Sequence, residues 1–141
     1  MIPALPVARL LPHAGAMVLV DEIVYADPMR IECRTQAHRR AGFPLAVDGR
    51  VSSLCGIEMA AQAMALHAAA GDPDHRVRAG RLASVSDVEV LHERLDDRPE
   101  LRIEAVLEQA GARGSAYKFS VSDGDEVLVR GRALVMTADA P

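Results

Sequence analysis

The sequence predicts an α+β domain in which a curved antiparallel sheet of about six strands wraps around one long central helix. Three observations lead to it. The stretch Val51–Gly71 is rich in alanine, leucine and methionine, all strong helix formers, and Glu58 is its single full charge. It is apolar on nearly every face, so the helix should be enclosed by protein. Finally, the text on both sides of it alternates with period two, the signature of half-buried strands. One helix and that many strands can hide their apolar faces only if the sheet curls around the helix.

In chain order, Ala4–Pro12 is punctuated by proline and reads as extended chain or one short helical turn. Met17–Tyr25 is rich in β-branched residues and reads as the first strand. Ala26-Asp27-Pro28 makes a turn into Arg30–Ala37, where Ile31, Cys33 and Thr35 share one face, so the two strands form a hairpin. His38–Arg50 is an irregular loop broken by Gly42, Pro44 and Asp48-Gly49. Asp48, Ser52 or Ser53 offers a side-chain oxygen to cap the helix over Val51–Gly71, and Gly71 supplies a left-handed stop before Asp72-Pro73. Four more strands follow as an antiparallel meander. These are Leu82–Leu91 with Val88 and Val90 on one face, Leu101–Gln109, Tyr117–Ser122 and Glu126–Thr137. Leu95–Glu100 is a polar loop, Asp123-Gly124 a hairpin turn, and Gly131 a bulge or bend.

With 141 residues the chain reads as a single domain over 1–141 with a real core. A net charge of −4 and few aromatics argue against a nucleic-acid binder. Fifteen of the sixteen basic residues are arginine, and none form a basic stripe. Cys33 and Cys55 are too few and too far apart for a disulfide framework or a C-x-x-C site, and read as buried free thiols in a reducing cytoplasm. The prolines, Arg9 and His13 interrupt any signal-peptide core, and Glu58, Gln62 and His67 argue against a membrane span. No histidines and acids stand at metal-ligand spacing, so neither a metal nor another cofactor is expected.

A helix enclosed by such a sheet is the hotdog fold, and two motifs tie the chain to a family with that fold. Leu11-Pro12-His13 followed by Met17-Val18-Leu19-Val20-Asp21 resembles the opening of the 3-hydroxyacyl-[acyl carrier protein] dehydratases. Ile57-Glu58-Met59-Ala60-Ala61-Gln62-Ala63 resembles their central-helix motif. The Asp48-Gly49-Arg50-Val51-Ser52-Ser53-Leu54 entry is most similar to the divergent branch associated with aryl-polyene biosynthesis. The family's loop histidine is missing: in Ala41-Gly42-Phe43-Pro44-Leu45 a glycine stands in its place.

The resemblance implies dehydration of a 3-hydroxyacyl thioester to the 2-enoyl thioester, with the chain carried on the phosphopantetheine of an acyl carrier protein. It also implies a working unit that is a homodimer, or a heterodimer with another hotdog protein. His13 carries over from the opening motif as the base at C2, and Glu58 from the helix motif as the group handling the hydroxyl. Burial would favour the neutral acid there and the positive helix end the anion. Gln62, one turn on, can orient Glu58. Backbone N–H groups at Leu54, Cys55 and Gly56 are the candidate cradle for the thioester oxygen, and Gly56 would allow close approach. His38, in the loop nearest the absent histidine, is the candidate substitute for it. His67, His75 and His92 read as solvent-facing or plain core residues. Arg76, Arg78 and Arg81, with Arg39 and Arg40, form a basic cluster suited to an acidic carrier or equally to a solvated face.

Two other functions stay open. A hotdog thioesterase would use the same acid to activate water or attack the thioester. A degenerate subunit would bind acyl chains or support an active partner, as the missing histidine suggests.

Overall fold

The computed structural model describes residues 5–77 and 80–137. A short helix α1, Val7–Leu10, precedes a 3₁₀ turn at Gly15–Met17, and then β1, Glu22–Ala26, and β2, Arg30–Thr35. The long helix α2 covers Cys55–Gly71, and β3 (Gly80–Val90), β4 (Leu101–Ala110), β5 (Gly114–Asp123) and β6 (Glu126–Thr137) complete the chain. All six strands form one antiparallel sheet in the order β1-β2-β4-β5-β6-β3, against which α2 lies. This is the hotdog architecture.

The sheet's two faces follow directly from the alternation. Ile31, Cys33 and Thr35 of β2, Leu101, Ile103 and Ala105 of β4, and Phe119 and Val121 of β5 are buried under Met59, Ala63 and Leu66 of the helix. The outer face carries a lattice of ion pairs: Arg34–Glu22 at 2.6 Å, Arg30–Glu104 and Arg130–Glu89 at 3.2 Å, and Arg132–Glu108 at 3.1 Å. Such solvated pairs add little stability each, but they keep that face wet.

The four-strand meander is not what forms. β3 leaves its sequence neighbour β4 and pairs with β6 at the sheet edge, while β4 inserts between β2 and β5. Burial decides this. β4 has an unbroken apolar row that needs cover, whereas every β3 side chain is half-buried or exposed, Val88 and Val90 included. β3 also bulges between Ser86 and Glu89, with Asp87 at φ 53°. Gly131 of β6 lies opposite that bulge, and the Phe119 ring covers it across the β5–β6 pair, where a Cβ would meet ring carbon Cζ at 3.1 Å. The glycine therefore answers a close approach rather than a bulge in its own strand.

Helix boundaries shift as well. α2 begins at Cys55 because the backbone of 51–53 is already paired with 93–95. Leu95 N–H donates to Val51 O at 2.8 Å, Ser53 N–H to Glu93 O at 3.0 Å, and Val51 N–H to the Asp96 carboxylate at 2.9 Å. The polar loop after β3 is thus the bracket that holds the helix entry, with Leu95 fully buried. Asp48 does not cap: Val47 and Arg50 exchange two backbone bonds around Asp48-Gly49, both at positive φ, as in a two-residue I′ hairpin turn. Ser52 Oγ accepts from Leu54 N–H just ahead of the helix, and Ser53 Oγ donates to His92 O. At the far end Gly71 keeps an ordinary helical φ and the chain leaves through extended Asp72. The first strand is also shorter than its apolar run. Met17 closes the 3₁₀ turn, and Leu19 and Val20 are buried ahead of β1.

His38 sits in a 3₁₀ turn over Ala37–Arg39, is 4% exposed, and its Nε2 lies 2.7 Å from Arg98 O. A carbonyl only accepts, so Nε2 carries a hydrogen and donates it. The His38 pKa is lowered, first by burial. Because the folded value is below the unfolded one, the stability this residue contributes is complete above about pH 6.5 and falls as pH drops toward the folded value. Thermal melts should therefore show Tm declining below about pH 6.5, and His38→Gln should flatten that decline. An unchanged slope in the variant would contradict the assignment.

Candidate functional site

The residues predicted for the site lie on three segments, the end of α1, the turn after His13 and α2. α1 packs on α2, with Leu10 and Leu11 buried. His13 follows, half-buried, its Nδ1 shut away from solvent with no hydrogen-bond partner. Immediately afterwards the chain tightens into the 3₁₀ turn, Met17 N–H donating to Ala14 O at 3.3 Å and Val18 N–H to Gly15 O at 3.1 Å.

Gln62 receives that segment. It is 1% exposed, its Oε1 accepts from Leu19 N–H at 2.8 Å, and its Nε2 donates to Met17 O at 2.6 Å. Those bonds join the two sequence motifs in space. They also replace the expected role of Gln62 as the orienter of Glu58, because its amide is turned inward to the loop backbone.

Glu58 itself is exposed in the single chain, contrary to the buried acid expected from the helix's composition. The sheet covers only one side of α2. Leu54, Glu58 and Ala68 are exposed and Cys55, Ala61 and Ala65 half-buried, so a stripe at helical spacing remains open. Leu54, Cys55 and Glu58 are therefore brought together on this open face, while Gly56 and Gln62 point inward.

The backbone of the expected thioester cradle is already engaged. Cys55, Gly56 and Ile57 N–H groups donate to Ser52 O, Ser53 O and Leu54 O at 2.9, 2.9 and 3.1 Å, a tight first turn that leaves no free donor there. Gly56 is required for a different reason: a Cβ would stand 2.9 Å from Val129 Cγ1 and 3.1 Å from Val121 Cγ2. It lets the helix press onto β5 and β6, not a ligand onto the helix. A hollow of about 640 Å³ opens beside this entry, lined by Leu45, Val47, Arg50, Ser52 and Arg94 among others.

The remaining candidates have structural partners. Burial pushes the Cys55 thiol up and the Cys33 thiol up to about 12, which keeps both protonated and unreactive. At the missing histidine's position Gly42 has φ +78° with open space around its Cα, a conformation a histidine would adopt only with strain. His67 is a core residue: Nε2 donates to Asp27 O at 2.7 Å, leaving Nδ1 to accept from Tyr117 OH at 2.7 Å. Buried Tyr117 is pushed up to about 12 by desolvation. His75 contacts Ala69 O, and His92 pairs with Asp97. Arg40 and Arg76, both among the described residues, sit at different places in the fold. Arg40 pairs with Asp21 at the end of the β1–β2 hairpin opposite its turn, whereas Arg76 pairs with Asp72 beyond the far end of α2; Arg78 lies outside the described residues.

Sequence reasoning missed Thr35, whose Oγ1 donates to Leu19 O at 2.7 Å and accepts from Ala37 N–H at 3.0 Å. It also missed Arg98, which binds Glu126 and Asp123 and accepts from His38 through its carbonyl. A threonine on the buried face of β2 was the only sequence signal for the first. Among the described residues, no three or more His, Cys, Asp or Glu side chains converge as a metal site, and no helix is long and apolar enough to cross a membrane.

This geometry has known counterparts. The chain of the dehydratase heterocomplex ApeI:P from Xenorhabdus doucetiae superposes with a TM-score of 0.82 at 23% identity, covering 97% of this chain and 93% of that one. A mutant thioesterase from Pseudomonas aeruginosa (TM-score 0.57, 12% identity, 83% of this chain and 80% of that one) is more distant. So is a hypothetical thioesterase with coenzyme A from Streptococcus pneumoniae (TM-score 0.58, 12% identity, 83% and 84%). These likenesses establish the shared fold. No curated protein sequence matches. The family model described as ApeP-like, ApeP dehydratase, matches residues 5–141, and the chain belongs to that family of dehydratases.

Proposed function

We propose that the protein dehydrates 3-hydroxyacyl thioesters presented by an acyl carrier protein, with Glu58 and His13 as its acid–base pair. The observation that carries the reading is the pair of bonds from Gln62 to Met17 and Leu19. They hold the segment that follows His13 against the helix at a residue one turn from Glu58, within a chain that belongs to a dehydratase family. The unpartnered, buried Nδ1 of His13 adds support, because such an atom in a native protein calls for a partner.

In the proposed step, neutral His13 takes the proton from C2 and the electron pair moves onto the thioester oxygen. The enolate then collapses to the C2–C3 double bond as Glu58, in its acid form, protonates the C3 hydroxyl, which leaves as water. His13 is left protonated and Glu58 ionised, and proton exchange through solvent resets both. Glu58 is exposed on the open face of α2 in the single chain, so the proposed reaction needs that face covered to keep bulk water from the reacting groups. The free edge of β3, with Val88 and Val90 exposed at 37% and 44%, offers the place where a second hotdog subunit joins and closes the open face of α2. Homodimer and heterodimer both satisfy this requirement, and the ApeI:P dehydratase heterocomplex is a precedent for a mixed assembly among proteins of this fold.

The test supplies a 3-hydroxyacyl thioester to the protein alone and to the protein co-expressed with a second hotdog subunit. Enoyl absorbance and free thiol are followed separately. Enoyl formation without thiol release is expected. Thiol release without enoyl would assign a thioesterase, and neither product with any chain length or partner would leave a non-catalytic acyl-binding subunit.

A further inference from the structure

We infer that Gln62 is a positioning residue for His13, acting through the backbone of the segment that follows it; the catalytic meaning of this rests on the function proposed above. His13 stands between two anchors. Before it, Leu10 and Leu11 are buried at 1% and 4% exposure. After it, the turn from Ala14 to Val18 delivers Met17 O and Leu19 N–H to the two ends of one side-chain amide. A primary amide has one acceptor end and one donor end, so Gln62 can satisfy a carbonyl and an N–H two residues apart at once. Glutamate, methionine and leucine at this position cannot do both.

The other side of the same peptide segment is tied as well. Leu19 O accepts from Thr35 Oγ1, whose oxygen also accepts from Ala37 N–H beside His38. The buried series Gln62, Leu19, Thr35, Ala37 therefore links α2, the His13 segment and the loop after β2. With both faces of Leu19 held, the five residues between it and His13 have little freedom. Loss of the amide would leave the buried Leu19 N–H and the part-buried Met17 O without partners, and the segment would move to find water. A misplacement of about 1 Å at a reacting group can cost ~10²-fold in rate.

The experiment follows the histidine ring resonances by NMR in the intact protein, with the His13 signals assigned by their loss in His13→Gln. In Gln62→Met the His13 signals should collapse to those of a mobile, solvent-exposed histidine. Those of His67, held by Tyr117 and Asp27 farther along the same helix, should keep their native shifts and report that the fold survives. Gln62→Glu, which retains an acceptor for Leu19 N–H, should give a smaller change. In the unsubstituted protein the Leu19 amide should be strongly protected from hydrogen exchange, a reading that stands even if the variants do not fold. Native His13 signals in Gln62→Met, or a freely exchanging Leu19 amide, would overturn the inference. A collapse of the His13 signals in a protein that forms no enoyl product would uphold the positioning role and sink only the proposed function. Where enoyl is formed, kcat should fall by ~10²-fold in Gln62→Met with KM little changed.

Discussion

Glu58→Gln should lower the rate of enoyl formation by roughly 10²–10⁴-fold, the range for loss of a positioned proton donor. The fold should be left as it was. Gln is close to isosteric, and Glu58 is exposed on the open face of α2 with no hydrogen bond or ion pair recorded to it among the described residues. Its Tm should stay within the scatter of surface substitutions, about ±0.5 kcal/mol. The contrast between a large kinetic effect and a negligible stability effect is diagnostic, because a merely structural acid would give the reverse. The measurement is enoyl absorbance on a 3-hydroxyacyl thioester, with a thermal melt of the same sample. A variant that retains full dehydration would remove Glu58 from the mechanism. Tested with and without a second hotdog subunit, it would also reveal which protomer's acid is used.

Gly56→Val should destabilise the protein by about 3 kcal/mol or more, since a branched side chain would be driven between Val129 and Val121. Gly56→Ala is the milder test. Its Cβ overlaps Val129 Cγ1 at 2.9 Å, a packing cost of about 1–3 kcal/mol. The gain in helix propensity returns up to about 1 kcal/mol of that. A compensating Val129→Ala should recover part of the loss in Gly56→Ala, although Val129→Ala alone is destabilising through the cavity it leaves. Chemical denaturation of the four proteins reads out the cycle. Additive losses would contradict the contact. If Gly56 served ligand approach instead, Gly56→Ala would raise KM at unchanged stability.

Much of the fold was legible because it rests on short-range periodicity. The buried row Ile31, Cys33, Thr35 and the alternation through Leu101, Ile103 and Ala105 are local facts, and so are the turns at Asp27 and Asp123-Gly124. Strand order was not legible. Adjacent strands in sequence usually pair, yet β3 goes to the far edge because its side chains have too little to bury, and that becomes decisive only in competition with β4. The helix start was misplaced for a related reason. Val51–Ser53 has helix-compatible text, and only its pairing with Glu93–Leu95 makes it extended.

At the proposed site, the sequence alone nominated the residues and the chemistry they suit. His13 and Glu58 lie in two motifs whose resemblance to a dehydratase family the family match supports. Tertiary structure decided what each residue faces. Glu58 looks outward because the sheet covers only one side of α2, Gly56 meets valines rather than ligand, and Gln62 turns its amide to Met17 and Leu19. Residue type and spacing report what a side chain can do and which local period it follows. Its partners, 43 residues away for Gln62 and Leu19, are set by how helix, loop and sheet close on one another, and no local pattern encodes that closure.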